Sequence, residues 1–209
     1  MPRKPSAQSS RAPQRGTQPA ARGARKRTAR GAARARPVRP SAPPYDALEK
    51  QLIAALEPVP GMAIDGPWPG RAWTREIRAR LGLLGQQRGY QVYADGCLGA
   101  EPQWLYLVVW AVVWAEGRGG HLRQMQLAAE YEWNLNLQEI AEDFDKLLQA
   151  RARHRLMIFE QRNAADVAMV LRALKARVRA FKGTLPGDRF LFAAYDFGGA
   201  CFQFDLHVA

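Results

Sequence analysis

Three charged side chains near the middle of the chain have a spacing that could support chemistry. Glu130 and Glu132 stand two positions apart in a predicted β-strand, so both point to the same face of its sheet. Lys146 follows on a predicted helix. Two carboxylates on one face can ligate a hard cation such as Mg²⁺, or they can form the solvated face of a half-buried strand. Lys146 can likewise form an ordinary pair with Glu142. Taken alone, the pattern favours a solvated face.

Charge divides the chain in two. The first 43 residues contain twelve Lys and Arg residues and no Asp or Glu, which leaves nineteen basic residues against nineteen acidic ones in residues 44–209. This tail is built mainly from Pro, Arg, Ala, Gly, Ser and Gln and has no Leu, Ile or aromatic residue, so we predict that it is disordered alone. We predict one neutral folded domain over residues 44–209.

A disordered cationic tail suits contact with nucleic acid, because each neutralised phosphate releases a counterion and guanidinium groups match phosphate oxygens. We expect DNA in preference to RNA. The tail residues expected to bind are Arg22, Arg25, Lys26, Arg27, Arg30, Arg34 and Arg36. The alternatives are a solubilising extension, a segment that docks to an acidic partner or a membrane, and a targeting peptide, although frequent prolines oppose the helix of a transit peptide.

The composition offers little support for other chemistry. Cys97 and Cys201 are far apart and the three histidines are scattered, so neither a zinc site nor a disulfide framework is expected, and both thiols are predicted to be buried. The N-terminus lacks the apolar stretch of a secretory signal, and the apolar run 104–115 is too short to cross a bilayer. We expect a cytoplasmic bacterial protein, associated with the nucleoid and without a membrane partner. The oligomeric state stays open, with a dimer among the options.

The hydrophobic pattern predicts the elements that must position these side chains. Apolar residues at helical spacing predict helices over 45–56, 74–84, 137–152 and 164–180. Aromatic and β-branched runs predict strands over 90–93, 104–114, 124–133, 155–159, 190–195 and 201–208, with hairpin turns at 117–120 and 196–199. This order indicates an α/β fold with a mixed sheet and helices on its faces, an architecture that by itself assigns no activity.

Some local patterns within these elements add expectations. Thr74 is placed to cap the second helix. Trp104, Trp110 and Trp114 have no interleaved basic residues and are expected to pack in the core. Trp68 and Trp73 stand close to Arg71 and Arg75, which is the pattern of aromatic platforms that stack on bases.

Several short runs between residues 74 and 159 resemble an uncharacterised bacterial family. The runs are Leu83–Gly85, Gly89–Ala94, Trp104–Tyr106, Glu130–Trp133, Asp143–Ala152 and Leu156–Phe159. That family is similar to the restriction-endonuclease-like nucleases, the PD-(D/E)xK superfamily. The resemblance implies a restriction-endonuclease-like central mixed sheet flanked by helices, and a Mg²⁺-dependent phosphodiesterase.

The resemblance also implies roles for individual residues. In that superfamily an acid on the second core strand and a Glu-x-Lys pair on the third strand gather Mg²⁺ and activate water. Glu130 matches the motif's glutamate, Glu132 stands where its lysine is expected, and Lys146 is the candidate to replace that lysine. The resemblance thus implies catalytic roles for Glu130, Glu132 and Lys146, with the metal held by Glu130 and Glu132.

The acid expected on the second strand is missing. Leu107 occupies its place and cannot bind a metal, so the implied site is incomplete. Asp95 or Glu76 could supply a carboxylate if the fold brings either one close. Two hypotheses follow. The first is a nucleic-acid-associated, Mg²⁺-dependent nuclease with an incomplete active site, and the second is a non-catalytic nucleic-acid-binding module or interaction protein that uses the basic tail.

Overall fold

The structure, a computed structural model, describes residues 44–62, 70–116 and 119–209. The basic tail, its predicted disorder and its expected phosphate contacts lie outside these ranges. The helices and strands are α1 (Ala47–Leu56), a short 3-10 helix (Pro60–Met62), α2 (Gly70–Gln87), β1 (Gln91–Tyr93), β2 (Val108–Glu116), β3 (Gly119–Glu132), α3 (Leu137–Gln149), β4 (Ala152–Gln161), α4 (Ala164–Ala180), β5 (Arg189–Asp196) and β6 (Cys201–Val208).

These strands form one mixed sheet in the order β1-β2-β3-β4-β5-β6. The β2–β3 and β5–β6 connections are antiparallel hairpins, as predicted, although residues 117–118 of the first turn lie outside the described ranges. Helices α3 and α4 return the chain between β3, β4 and β5, so these three strands run parallel. The predicted α/β fold with a mixed sheet and flanking helices is confirmed.

Both faces of the sheet are covered by helices. Helices α1 and α2 pack on one face, which we call the α1/α2 face, and their core includes Leu156 and Ile158 of β4. Helices α3 and α4 pack on the other, the α3/α4 face, whose core includes Met157 and Phe159. Because both faces are buried, the middle of β4 is continuously apolar rather than alternating.

The start of β2 differs from the prediction. The strand begins at Val108 rather than at 104, and Trp104 and Leu105 are 46% and 58% exposed. The Trp104 ring contacts the Tyr93 ring, with centroids 5.5 Å apart, so its predicted core position was wrong. Trp110 is fully buried as predicted, and the side chain of Trp114 lies outside the described part of the chain.

Three expectations for individual side chains were also wrong. Thr74 does not cap α2, because the helix begins at Gly70 and the Thr74 hydroxyl donates to the Gly70 carbonyl oxygen. Trp73 is 3% exposed and packs in the core of the α1/α2 face, so it is no stacking platform, while Trp68 lies outside the described ranges. Cys201 is exposed and Cys97 is half-buried, and both thiols are free.

None of the helices in the described ranges has the length and apolar character needed to cross a bilayer.

Two glycines shape the C-terminal end of α2. Gly89 has a φ of +76°, a left-handed conformation that glycine adopts without strain, and Tyr90 N–H donates back to the Gly85 carbonyl oxygen to close the helix. Gly85 itself lies against Trp110. A Cβ at Gly85 would sit 2.5 Å from Nε1 of the Trp110 indole, so the helix can approach the sheet this closely only with glycine there.

Gly85→Ala should therefore destabilise the fold by about 2 kcal/mol through overpacking, although alanine in a helix is normally favoured over glycine by about 1 kcal/mol. Urea unfolding followed by circular dichroism measures the effect. Gly82→Ala, one turn earlier, is the control, because its Cβ would meet the Cys97 side chain at 3.0 Å and should cost less. Equal or greater stability of Gly85→Ala would contradict the close packing on Trp110.

Candidate functional site

The two predicted glutamates lie together at the C-terminal end of β3. Leu127 and Ala129 belong to the core of the α1/α2 face and Ala128 to that of the α3/α4 face, so Glu130 and Glu132 share the α3/α4 face. Glu130 is 8% exposed. The expectation of a solvated strand face was therefore wrong for Glu130, because α3 covers it.

The surroundings of Glu130 are partly apolar and partly charged. Burial is the main influence and raises the pKa of Glu130 to about 7. The Lys146 ammonium opposes this rise, the Asp143 carboxylate adds to it, and the backbone N–H of Leu107 donates to the Glu130 carboxylate and so favours its charged form. The positive charge of Arg78, on α2, also acts on Glu130. Near neutral pH, Glu130 thus exists in both protonation states.

Glu132 makes a second contact with α3. Its carboxyl group lies near that of Asp143, and its Oε1 accepts from the Asn134 backbone N–H at 2.6 Å. Partial burial is the largest cause of the raised pKa of Glu132, and Asp143 adds to it. Glu160, near the end of β4, has its pKa raised to about 7 by burial and by repulsion from Glu132. We call Glu130, Glu132 and Asp143 the carboxylate cluster.

Lys146 joins this cluster from the next turn of α3. Its ammonium group forms an ion pair with Asp143, and this contact is the main reason that the pKa of Lys146 is raised, with Glu130 and Glu132 contributing further. Glu142, the partner expected for an ordinary surface pair, instead accepts a hydrogen bond from Gln138. The charges of Glu130 and Glu132 thus both act on Lys146, whose direct partner is Asp143, a residue that no sequence pattern marked as part of a site.

Leu107 contacts Glu130 through its backbone and not through its side chain. The side chain is 1% exposed and packs in the core of the α1/α2 face, while the amide faces Glu130. The alternative carboxylates have other partners: Asp95 accepts from the Gln103 amide at 2.7 Å, and Glu76 pairs with Arg80 at 2.7 Å. Leu107 thus offers Glu130 a hydrogen-bond donor and no carboxylate.

A separate group of side chains could hold a metal ion. Among the residues that the structure describes, Asp46, Glu49 and His154 are the one set of three whose ligand atoms lie within 4.8 Å of one another. Their atoms already have protein partners, since Asp46 caps α1 and lies 2.7 Å from His154 Nε2, and Glu49 makes two 2.7 Å hydrogen bonds with Arg189. Arg189 supplies the positive charge there, so the group joins α1 to β4 and β5.

Sequence reasoning missed this second group because no local pattern marks it. Asp46 and His154 are 108 positions apart, and neither belongs to a spacing motif for metal ligands.

The carboxylate cluster nevertheless has donors that suit Mg²⁺. This ion prefers oxygen ligands, keeps several waters and is often held by only one or two carboxylates. The nearby Asp143 carboxylate raises the pKa of Glu132, and a bound cation would offset this repulsion between the two carboxylates. A small open pocket of about 200 Å³, lined by Leu105, Tyr106, Lys146 and Gln149, opens at Lys146.

Comparisons with protein-family models, with curated proteins and with solved structures found no match to this chain. The resemblance to restriction-endonuclease-like nucleases therefore stays a prediction from the sequence.

The raised pKa of Glu130 predicts how stability depends on pH. A rise from 4.5 to about 7 means that ionising Glu130 costs the fold roughly 3 kcal/mol. The stability that the fold keeps while Glu130 is protonated is fully present below pH 4.5 and is lost as the pH rises through 7. Glu130→Gln, which cannot ionise, should match the wild type near pH 4.5 and be more stable at pH 8.

Urea unfolding of both proteins at several pH values, with EDTA present, measures this difference. Glu142→Gln, on the exposed side of α3, serves as the control and should follow the wild type throughout. A constant difference between Glu130→Gln and the wild type across this range would rule out a perturbed Glu130.

Proposed function

We propose that this chain is a nucleic-acid-associated protein that hydrolyses phosphodiester bonds with Mg²⁺ at the carboxylate cluster. The observation that supports this most is the position of Glu130, a buried carboxylate at a strand end with Asp143 and Lys146 beside it. A fold loses stability by burying an ionisable carboxyl group, so such groups are concentrated at functional sites. The restriction-endonuclease-like resemblance gives the same residues the same role.

Each residue then has a defined task. Glu130 and Glu132 hold the metal ion, which when bound polarises the phosphate and lowers the pKa of a water molecule. Lys146 offsets the negative charge that develops on the phosphate during attack. Asp143 positions Lys146 through their ion pair and places a second negative charge near Glu132. Since the second-strand acid is absent, we expect slow hydrolysis.

The basic tail supplies affinity in this proposal. Its twelve cations are set against a folded part whose formal charges balance, so non-specific attraction to DNA or RNA comes mainly from residues 1–43. The seven tail residues from Arg22 to Arg36 named above carry the densest charge. The tail contributes affinity and selects no sequence.

A second candidate function is a binding module without catalysis. Leu107 favours it, because an amide beside Glu130 stabilises its negative charge without contributing a metal ligand. In this case the fold serves as a scaffold, and the tail provides the contact with nucleic acid.

The full chain should nick plasmid DNA in the presence of Mg²⁺ or Mn²⁺, and Glu130→Gln should lower the rate roughly 100-fold by removing a charged ligand. Because Glu130→Gln is expected to be at least as stable as the wild type, lost activity cannot be ascribed to unfolding. RNA is tested in parallel, with Glu142→Gln as the control that keeps activity. Cleavage that survives Glu130→Gln would place the chemistry elsewhere, and failure of the wild type to cleave would leave the binding module.

Binding to a DNA duplex should weaken steeply with salt in both candidate functions. A variant with the twelve tail cations replaced by glutamine should lose most of this salt dependence, because fewer counterions are released. Fluorescence anisotropy at several KCl concentrations measures the slope. The control replaces exposed cations of the folded part that lie outside the proposed site: Lys50, Arg88, Arg162, Arg172, Arg179 and Lys182. If the two variants have the same slope, the tail does not carry the affinity.

A further inference from the structure

An open pocket of about 580 Å³ lies on the α1/α2 face, at the end of the sheet where β3 finishes. The side chains that matter in its lining are Arg71, Arg75 and Arg78 of α2, Asp95 after β1, and Tyr131 and Trp133 at the end of β3. Its wall therefore combines cations with aromatic rings. Neither the carboxylate cluster nor the basic tail offers this combination.

The three arginines recur at successive turns of α2 and so lie on one side of the helix. Arg71 and Arg75 are exposed, and neither has a hydrogen bond or an ion pair within residues 44–62, 70–116 and 119–209. Arg78 donates to the Gln103 side chain at 2.7 Å and has a buried Nε–H without a partner among the described atoms. Three guanidinium groups thus face one carboxylate, Asp95, and the pocket is suited to an anion with several oxygens.

The aromatic side of the pocket is held in place. Trp133 donates from Nε1 to the Thr74 hydroxyl at 2.9 Å, and a Cβ at Gly70 would lie 3.2 Å from the Trp133 ring, so the indole is closely packed against the start of α2. Tyr131 lies beside it, with ring centroids 5.5 Å apart. Both side chains are half-buried, which leaves part of each ring at the pocket wall. A fixed, partly exposed aromatic pair is the arrangement on which unpaired bases stack.

The pocket adjoins the carboxylate cluster through β3. Tyr131 stands between Glu130 and Glu132 in the strand and points to the opposite face. Arg78 belongs to the pocket lining, and its charge also acts on Glu130. A strand seated in the pocket would therefore lie across β3 from the carboxylates.

We propose that this pocket binds single-stranded nucleic acid, with Arg71 and Arg75 contacting backbone phosphates and Trp133 and Tyr131 stacking on an unpaired base. This inference goes beyond the proposed hydrolysis, because it requires neither metal nor cleavage. It also differs from the action of the tail, which has no aromatic residue and so offers no surface for stacking.

Photo-crosslinking of the full chain to an oligonucleotide that contains 5-iodouracil, in EDTA, tests the stacking contact. Iodouracil reacts with aromatic side chains that touch it, and mass spectrometry of the peptides locates the bond. We expect the crosslink at Trp133 or Tyr131, and a weaker one when the same oligonucleotide is annealed to its complement. A crosslink confined to Trp104 or another aromatic residue, or equal crosslinking of the duplex, would overturn the proposal.

Binding of the same oligonucleotide tests the phosphate contacts. The full chain carrying Arg71→Ala and Arg75→Ala should bind roughly tenfold more weakly and lose the crosslink, and its salt slope should fall by about 1.4, or about 0.7 for each phosphate. Arg172→Ala combined with Arg179→Ala, at two exposed positions of α4, is the control with the same change of charge and should leave the crosslink intact. Equal binding and crosslinking by the two double variants would overturn the pocket assignment, whatever the outcome of the cleavage assay.

Discussion

Helices cover both faces of the sheet, and this constraint decides where polar chemistry can occur. Through the middle of β4 and β5 nearly every side chain is buried, so a charged group there would lose its hydration without gaining a partner. Polar and ionisable side chains are therefore expected at the strand ends. Glu130 and Glu132 follow this rule at the end of β3, and Glu160 follows it at the end of β4.

Burial at the end of β3 changes the pH range over which Glu130 titrates. An exposed glutamate is fully ionised at neutral pH, whereas Glu130 titrates close to neutrality, since its pKa is about 7. The nearby groups act on the same carboxyl in opposite directions: Lys146 and the Leu107 amide favour its charge, and burial and Asp143 disfavour it. The balance of these influences brings the pKa of Glu130 close to neutral. The arginine pocket behind it is open at the same strand end.

Local sequence patterns were sufficient for the elements and for the direction of the glutamates. Helix α4 and strand β6 have the predicted boundaries, because their apolar periodicity is long and uninterrupted. The shared face of Glu130 and Glu132 followed from strand parity alone. Asp143 was missed because its relation to Glu132 depends on how α3 crosses β3. The association of Asp46 with His154 was missed because it links α1 to β4 across most of the domain.

Leu107 shows that the path of the backbone matters as much as residue type. Residues 105–107 form a bend before β2, and there the Leu107 side chain packs in the core of the α1/α2 face while its amide faces Glu130. An aspartate on this backbone path would place its charge among buried leucines and valines, at a cost that the fold would avoid by rearranging. A carboxylate at this position would therefore require a different path of the chain into β2. The Leu107 amide instead favours the ionised state of Glu130.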